Sequence, residues 1–542
     1  MTKTNTDSIR RSVLGAALAL TAGFIVVPAG ALHAEGGTVL KSVPSSDLAI
    51  LDPIWTTAQI TGEHSFLIYD TLFSIDSSGM AQPQMLESYS VSDDGLSYTF
   101  VLRDGLTFHD GTPVEAADCV ASVERWSKRR PDGEMMNAYG AKWAVVDART
   151  FTLTLDKPYS NVEAGLGDNA RPAFIMRQED AATDAFEQIK TAVGSGPYMF
   201  DEEAWRPGSK VVYHKFAEYV PRSEPSDGFA GGKVAGPDTI EWTVIPDSAT
   251  AVNALIAGEV DMVISPTPDL LPLLDADPNI ETMTLSPIGF QGMLRFNSLA
   301  TPTDKAGVRK AINLVVQAHQ EEYLSAMVGL PENYRVCLTP MVCGSPYETM
   351  VGTEQFTDVD VKAKVAEYLE EAGYADEPVV VLDPTDQQAL HSMILVLAQQ
   401  LRDVGINVDL QATDWGTVSK RRTTKAGPAE DPNGYNIFPT WWGANSMLNP
   451  ITNVPLNTAP GGENWYGWPS DETLESLRLS FADARTEEEK QKIVDDIQQR
   501  FFDVMPYVWV GQYFAPMGYR TDRIDGIVSG GTPVYWNITL KD

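Results

Sequence analysis

The chain has 542 residues, 43% of them hydrophobic and 21% charged, which suits a folded chain of several domains and excludes wholesale disorder. Lys and Arg number 40 against 74 Asp and Glu, a formal charge of −34 that argues against a nucleic-acid binder and against a basic membrane-surface protein.

Lys3, Arg10 and Arg11 precede an uncharged run over residues 13–27, and small residues follow, with Ala31 and Ala34 as cleavage points. Residues 1–34 are therefore expected to be a secretory signal peptide. Arg10-Arg11 fits a twin-arginine signal and an ordinary Sec signal alike. No Cys stands at the cleavage region to take a lipid, and no later stretch reaches the about 18 apolar residues of a membrane span. The mature chain is expected to be exported and soluble.

Thr38-Val39-Leu40 predicts a short strand, and Asp52-Pro53 a turn opening a loop that carries Trp55 and Thr56. Residues 97–102 alternate and, through Asp104-Gly105, predict a hairpin with 106–109. Thr112-Pro113-Val114-Glu115 predicts a helix start capped by Thr112. Residues 240–245, 247–257 and 260–264 predict strand, helix and strand, hence a parallel pair joined by a crossover. The pattern recurs over 358–412: a helix over 359–372 closed by Gly373, a strand over 379–382, a helix carrying Leu390, Ile394, Leu397 and Leu401, and a strand over 406–410. Leu474, Leu477 and Phe481 mark one further helix, and Thr486 with Glu489 forms a capping box for another. Two α/β bodies imply lobes with a cleft between them.

The three cysteines include Cys337 and Cys343, six apart, a disulfide candidate in an oxidising compartment. Cys119 is expected to be a small buried hydrophobe. No Cys pair has metal-site spacing, the six histidines are scattered, and no metal or cofactor is expected. The chain lacks GxxxxGK[ST], HExxH, GxSxG and CxxC, and Gly194-Ser195-Gly196 reads as a tight turn rather than a nucleotide loop. No catalytic residue is singled out.

The conspicuous feature is aromatic. Trp415, Trp441, Trp442, Trp465 and Trp468 are five of the 12 tryptophans. They sit among Gly, Asn and Pro, a composition that reads as loops, and loops on a rigid scaffold are where ligands usually bind. Flat rings beside small residues can line a pocket while Asn and backbone groups orient a solute. Asp414-Trp415 precedes Lys420-Arg421-Arg422, a basic triplet that is either a solvated helix face or an anion contact at the cleft.

Residues 96–118, LSYTFVLRDGLTFHDGTPVEAAD, closely resemble the signature of family 5 extracellular solute-binding proteins, the peptide, dipeptide and nickel receptors of ABC importers. VGSGPY at 193–198 and ALIAGEVD at 254–261 resemble two further blocks of that family in the expected order. The resemblance implies an α/β, two-lobed periplasmic binding protein (type II-like, cluster C) with an additional domain. Lobe one would comprise 35–78, 187–288 and 506–542, the extra domain 79–186, and lobe two 289–505, closing by a hinge near 288 and 506. It implies a periplasmic monomer that encloses a small peptide or peptide-like solute and passes it to an ABC permease in the inner membrane. The ligand-binding residues expected are Trp55, Thr56, Asp414, Trp441, Trp442, Gly443 and Asn445. Peptide-type members often carry an Asp after Trp-x-Gly; here Trp441-Trp442-Gly443 is followed by Ala444, so a partner for a free amino terminus is missing. Alternatives are the same fold binding an opine, oligosaccharide or metal chelate, and a secreted hydrolase with a hidden carboxylate pair.

Overall fold

A computed structural model describes residues 37–541 apart from 285, 287, 462, 463 and 485. The expected signal segment, 1–34, lies outside the described residues. Val39–Val43 begins a seven-stranded sheet in the order Tyr198–Phe200, Lys210–Lys215, Thr239–Thr243, Val39–Val43, Met262–Ile264, Pro516–Arg520, Ile280–Thr284. Ser248–Ile256 is the helix expected between two of these strands. Asp247 accepts the Thr250 N–H at its start, and Gly258 turns left-handed past its end. The flanking strands are parallel, but they are not neighbours: Val39–Val43 lies between them and pairs with both. A strand from far upstream has taken the place that the local pattern assigned to a direct pair.

The second large sheet runs Tyr334–Arg335, Tyr507–Tyr513, Phe290–Phe296, Ile437–Gly443, Val379–Pro384, Val408–Thr413. Its parallel strands Val379–Pro384 and Val408–Thr413 flank the helix Gln388–Asp403, whose Leu390, Ile394, Leu397 and Leu401 are buried. Asp360 caps Val361–Glu371 through the Ala363 N–H, and Thr486 with Glu489 boxes the start of Glu487–Val504. The chain leaves the first large sheet after Thr284, enters the second at Phe290 and returns between Tyr513 and Pro516. The return therefore falls after Tyr513 rather than near 506, because Tyr507–Tyr513 pairs along Phe290–Phe296 in the second sheet.

A four-stranded antiparallel sheet, Leu86–Val91, Ser97–Leu102, Thr150–Thr154, Lys142–Val145, forms a third body. Its Phe100 and Phe151 stack at 5.1 Å. The hairpin expected from 97–102 to 106–109 does not form. Both edges of Ser97–Leu102 are already paired, with Leu86–Val91 and with Thr150–Thr154. Residues 106–109 instead fold onto 112–114, through Val114 N to Leu106 O at 3.0 Å and Phe108 N to Thr112 O at 2.8 Å. The following helix begins later than expected, at Ala116. Thr112 gives its hydroxyl to Asp110 at 2.6 Å, and Asp118 accepts the Glu115 N–H at 2.8 Å instead.

Two buried ion pairs tie distant segments together. Arg125 in the helix Ala116–Trp126 meets Asp52 at 2.7 Å, and Lys233 meets Asp70 at 2.9 Å. Cys337 and Cys343 form a disulfide with Cα atoms 5.9 Å apart. Cys119 is buried, and burial pushes its thiol far above the usual range.

Candidate functional site

A cavity of about 850 Å³, part of it open to solvent, lies where segments of the two large-sheet bodies meet. One wall is the loop Pro53, Thr56, Thr57, Ala58 and the first turn of the helix Gln59–Ile68. The facing wall is the end of the strand Ile437–Gly443 and the turn after it, with Thr440, Trp441, Trp442, Gly443, Asn445 and Ser446. Asn169, Ala170, Arg171 and Phe174 close one side, Arg422 and Trp465 another. Ser286, Gly289 and Phe290, at the first passage between the sheets, form the floor with Gly531 and Thr532.

Of the expected residues, Thr56, Trp441, Trp442, Gly443 and Asn445 line this cavity, and Trp55 and Asp414 do not. Trp55 stands beneath Arg129, whose guanidinium lies 5.2 Å from its ring. Asp414 is exposed and caps the helix Trp415–Arg421, accepting the Thr417 N–H at 2.9 Å and the Thr417 hydroxyl at 2.6 Å. Those two donors also hold its carboxyl below the usual range. The tryptophans 441 and 442, read as loop residues, are strand residues paired with Gly292 and Gln291. Their neighbours are Gly and Asn because the strand ends there. Trp442 is buried and edge-on to Trp465 at 5.2 Å, with Arg171 at 5.3 Å over its face. Trp441 is half-buried and edge-on to Phe290 at 5.3 Å.

The loop wall is held by three arginines, of which Arg171 also lines the cavity. Arg130 donates to Pro53 O and, at 3.3 Å, to Thr56 O; Arg129 reaches Trp55 O at 3.3 Å and Arg171 reaches Thr57 O at 2.7 Å. Burial, with Arg171 and Arg129 nearby, brings Arg130 down to about 9, and burial brings Arg171 down to about 10 against the opposing pull of Asp168. The basic triplet divides. Arg421 is engaged with Gln411, Asn433 O and Gly434 O, while Arg422 turns its guanidinium over Tyr466 at 4.9 Å and reaches the cavity. Four buried polar atoms on the lining have no partner among the described residues: Arg422 Nε, Trp442 Nε1, Ser286 Oγ and Asn169 Oδ1. Such atoms also occur elsewhere in the chain, but these four stand where a bound molecule could supply their partners. Arg171, Asn169 and Thr532 escape sequence reasoning because they come from segments without aromatic or motif signal. Among the described residues no group of three or more metal-ligating side chains occurs.

Two sheet-centred bodies, joined by adjacent passages and facing one polar-lined cavity, define a two-lobed solute-binding protein. The chain belongs to the bacterial extracellular solute-binding proteins, family 5, whose family model matches residues 81–464. It is 36% identical over 495 residues to a probable peptide ABC transporter periplasmic-binding protein of Sinorhizobium fredii, covering 91% of this chain and 92% of that one. It is 27% identical over 481 residues to the glutathione-binding protein of Salmonella typhi, covering 85% and 86%. Among solved structures, the binding protein AgaA of A. tumefaciens R10 in complex with agropinic acid superposes with a TM-score of 0.76 at 20% identity, covering 93% of this chain and 99% of that one.

Proposed function

We propose that this chain is the periplasmic receptor of an ABC importer. It captures a peptide or peptide-like solute between its lobes as a monomer and delivers it, chemically unaltered, to a permease in the inner membrane. The observation that carries this reading is the cavity itself. Two tryptophans from one lobe face a loop and helix start from the other, and unpartnered polar atoms lie between them. The relative named for peptide transport over nine-tenths of both chains supplies the solute class. The division into lobe one (35–78, 187–288 and 506–542), lobe two (289–505) and an extra domain (79–186) belongs to the same proposal. Aromatic walls and a few hydrogen bonds suffice for a dissociation constant near micromolar, about −8 kcal/mol. Closure about the two connections between the large sheets would enclose the solute.

A second reading keeps the fold and replaces the peptide with another solute. The cavity lining favours it in one respect: it contains no Asp or Glu among the described residues to receive a free amino terminus. Native mass spectrometry of the exported protein, followed by denaturation and analysis of what is released, separates the two. Short peptides support the first reading. A single non-peptide mass supports the second. Conversion of the released solute on reincubation with protein would refute both.

A further inference from the structure

The cavity lining is one-sided in charge. Arg171 and Arg422 both reach it, and no salt bridge joins either to a carboxylate among the described residues. Arg171 spends one N–H on Thr57 O at 2.7 Å, and the guanidinium of Arg422 has no hydrogen-bond partner there. Asp168, the carboxylate nearest Arg171, is occupied in its own loop, accepting the N–H groups of Ala170 at 2.8 Å and Arg171 at 2.6 Å. Behind the loop wall Arg129 and Arg130 add two further cations. Three of the four unpartnered lining atoms lean the same way: Arg422 Nε and Trp442 Nε1 are obligate donors and Ser286 Oγ can donate, while Asn169 Oδ1 accepts. At the opposite wall Ala58 offers no side chain to cap the helix Gln59–Ile68. Burying a cation whose counter-charge is absent, as at Arg422, or already committed to other donors, as at Arg171, is costly, and that cost is relieved when an anion arrives.

Resting on the receptor reading above, we infer that the solute is anionic, with its carboxylate or equivalent group received by Arg422, Arg171 and the Trp442 indole N–H, and that the cleft offers no carboxylate to a free primary ammonium. A charged amine entering this lining would meet two guanidinium groups and, among the unpartnered described atoms, a single neutral acceptor, Asn169 Oδ1. A blocked, cyclised or otherwise uncharged nitrogen would meet no such opposition. The rule separates this chain from a receptor for simple zwitterionic peptides, in which both ends are held by opposite charges.

The test uses protein stripped of bound solute by unfolding and refolding, and casein hydrolysate in three forms: untreated, N-acetylated, and methyl-esterified. Mass spectrometry counts what the protein retains. Acetylated peptides should be retained at least as well as untreated ones, and esterification should lower retention tenfold or more. Retention abolished by acetylation, or unchanged by esterification, overturns the charge rule and leaves the receptor reading standing. No retention from any of the three overturns the peptide reading. The same acetylation and esterification of a bacterial small-molecule extract then decides the charge rule separately, and no retention there overturns both. Arg422→Gln should weaken retention at least tenfold with the thermal midpoint unchanged, and Arg422→Lys should recover part of it. Full retention by Arg422→Gln removes Arg422 from the anion contact.

Discussion

Replacing Arg125 with Ala should destabilise the fold far more than loss of an ordinary ion pair. Arg125 and Asp52 have side-chain exposures of 2% and 0% and meet through two bonds, at 3.1 Å and 2.7 Å. Asp52 also accepts the N–H of Ile54 at 3.1 Å and of Ile189 at 3.0 Å, while Arg125 reaches Thr183 O at 3.0 Å and Glu187 O at 2.8 Å. The pair therefore joins the helix Ala116–Trp126, residues 183–189 and the start of the cavity loop. Truncating the cation leaves a carboxylate sealed from water without its counter-charge, a change that costs about 3–5 kcal/mol. An exposed pair of the same chemistry contributes about 0–1 kcal/mol. Urea denaturation followed by tryptophan fluorescence on Arg125→Ala, Asp52→Asn and the double variant measures both the loss and its origin. The double variant no longer holds a lone charge, so it should lose less than the two singles combined, by about 1–3 kcal/mol of coupling. A loss below about 1 kcal/mol in Arg125→Ala, or strict additivity of the singles, would refute the reasoning.

Trp442→Ala should cost about 3–5 kcal/mol of stability, since the ring is buried; Trp441→Ala, at a half-buried ring, should weaken solute binding by calorimetry with little change in thermal midpoint. Asp414→Ala should leave affinity unchanged, and a fall in affinity would return that carboxylate to the site. Reducing the Cys337–Cys343 bond, which spans a sequence separation of six, should lower stability by about 2 kcal/mol, read as a shift in urea midpoint with and without dithiothreitol. Burial pushes the Glu63 carboxyl up from 4.5 to about 8, so the folded chain keeps a proton that the unfolded chain releases. Its contribution is complete below 4.5 and is lost as pH rises towards 8. His64, pushed down from 6.5 to about 3, acts in the opposite sense and costs stability as pH falls below 6.5. The thermal midpoint should therefore decline between pH 6.5 and 8, and Glu63→Gln should flatten that decline; an equal decline in the variant refutes the assignment.

What could be read along the chain was what the chain decides locally. The capping box Thr486–Glu489, the left-handed Gly258 and Gly373, and the apolar stripe Leu390, Ile394, Leu397 and Leu401 each act within a few residues, and the helices formed where they pointed. Pairing was less legible because it depends on competition between distant segments. Residues 106–109 lost the edge of Ser97–Leu102 to Thr150–Thr154, and Val39–Val43 entered between two strands some two hundred residues downstream. The site divides in the same way. Trp441, Trp442 and Asn445 announced themselves by composition, whereas Arg171, Asn169 and Ser286 are ordinary residues whose position alone brings them to the cavity. Asp414 looked like a ligand contact beside an aromatic ring, but an Asp three residues before Thr417 satisfies a helix end first.

The loop at 53–57 has its carbonyl oxygens engaged by Arg129 and Arg130, which lie off the cavity lining, and by Arg171 at its edge. A segment fastened in this way keeps one shape whether or not a visitor is present. The face it shows the cavity is then cast in advance, like the fixed half of a mould, and only the opposite half needs to move. Little ordering is left to be done on that side when a solute arrives. A misfit cannot be accommodated by letting the loop give way, since three guanidinium groups would have to release their carbonyls together. Selection among candidate solutes thus falls to shape at one wall and to the travel of the other.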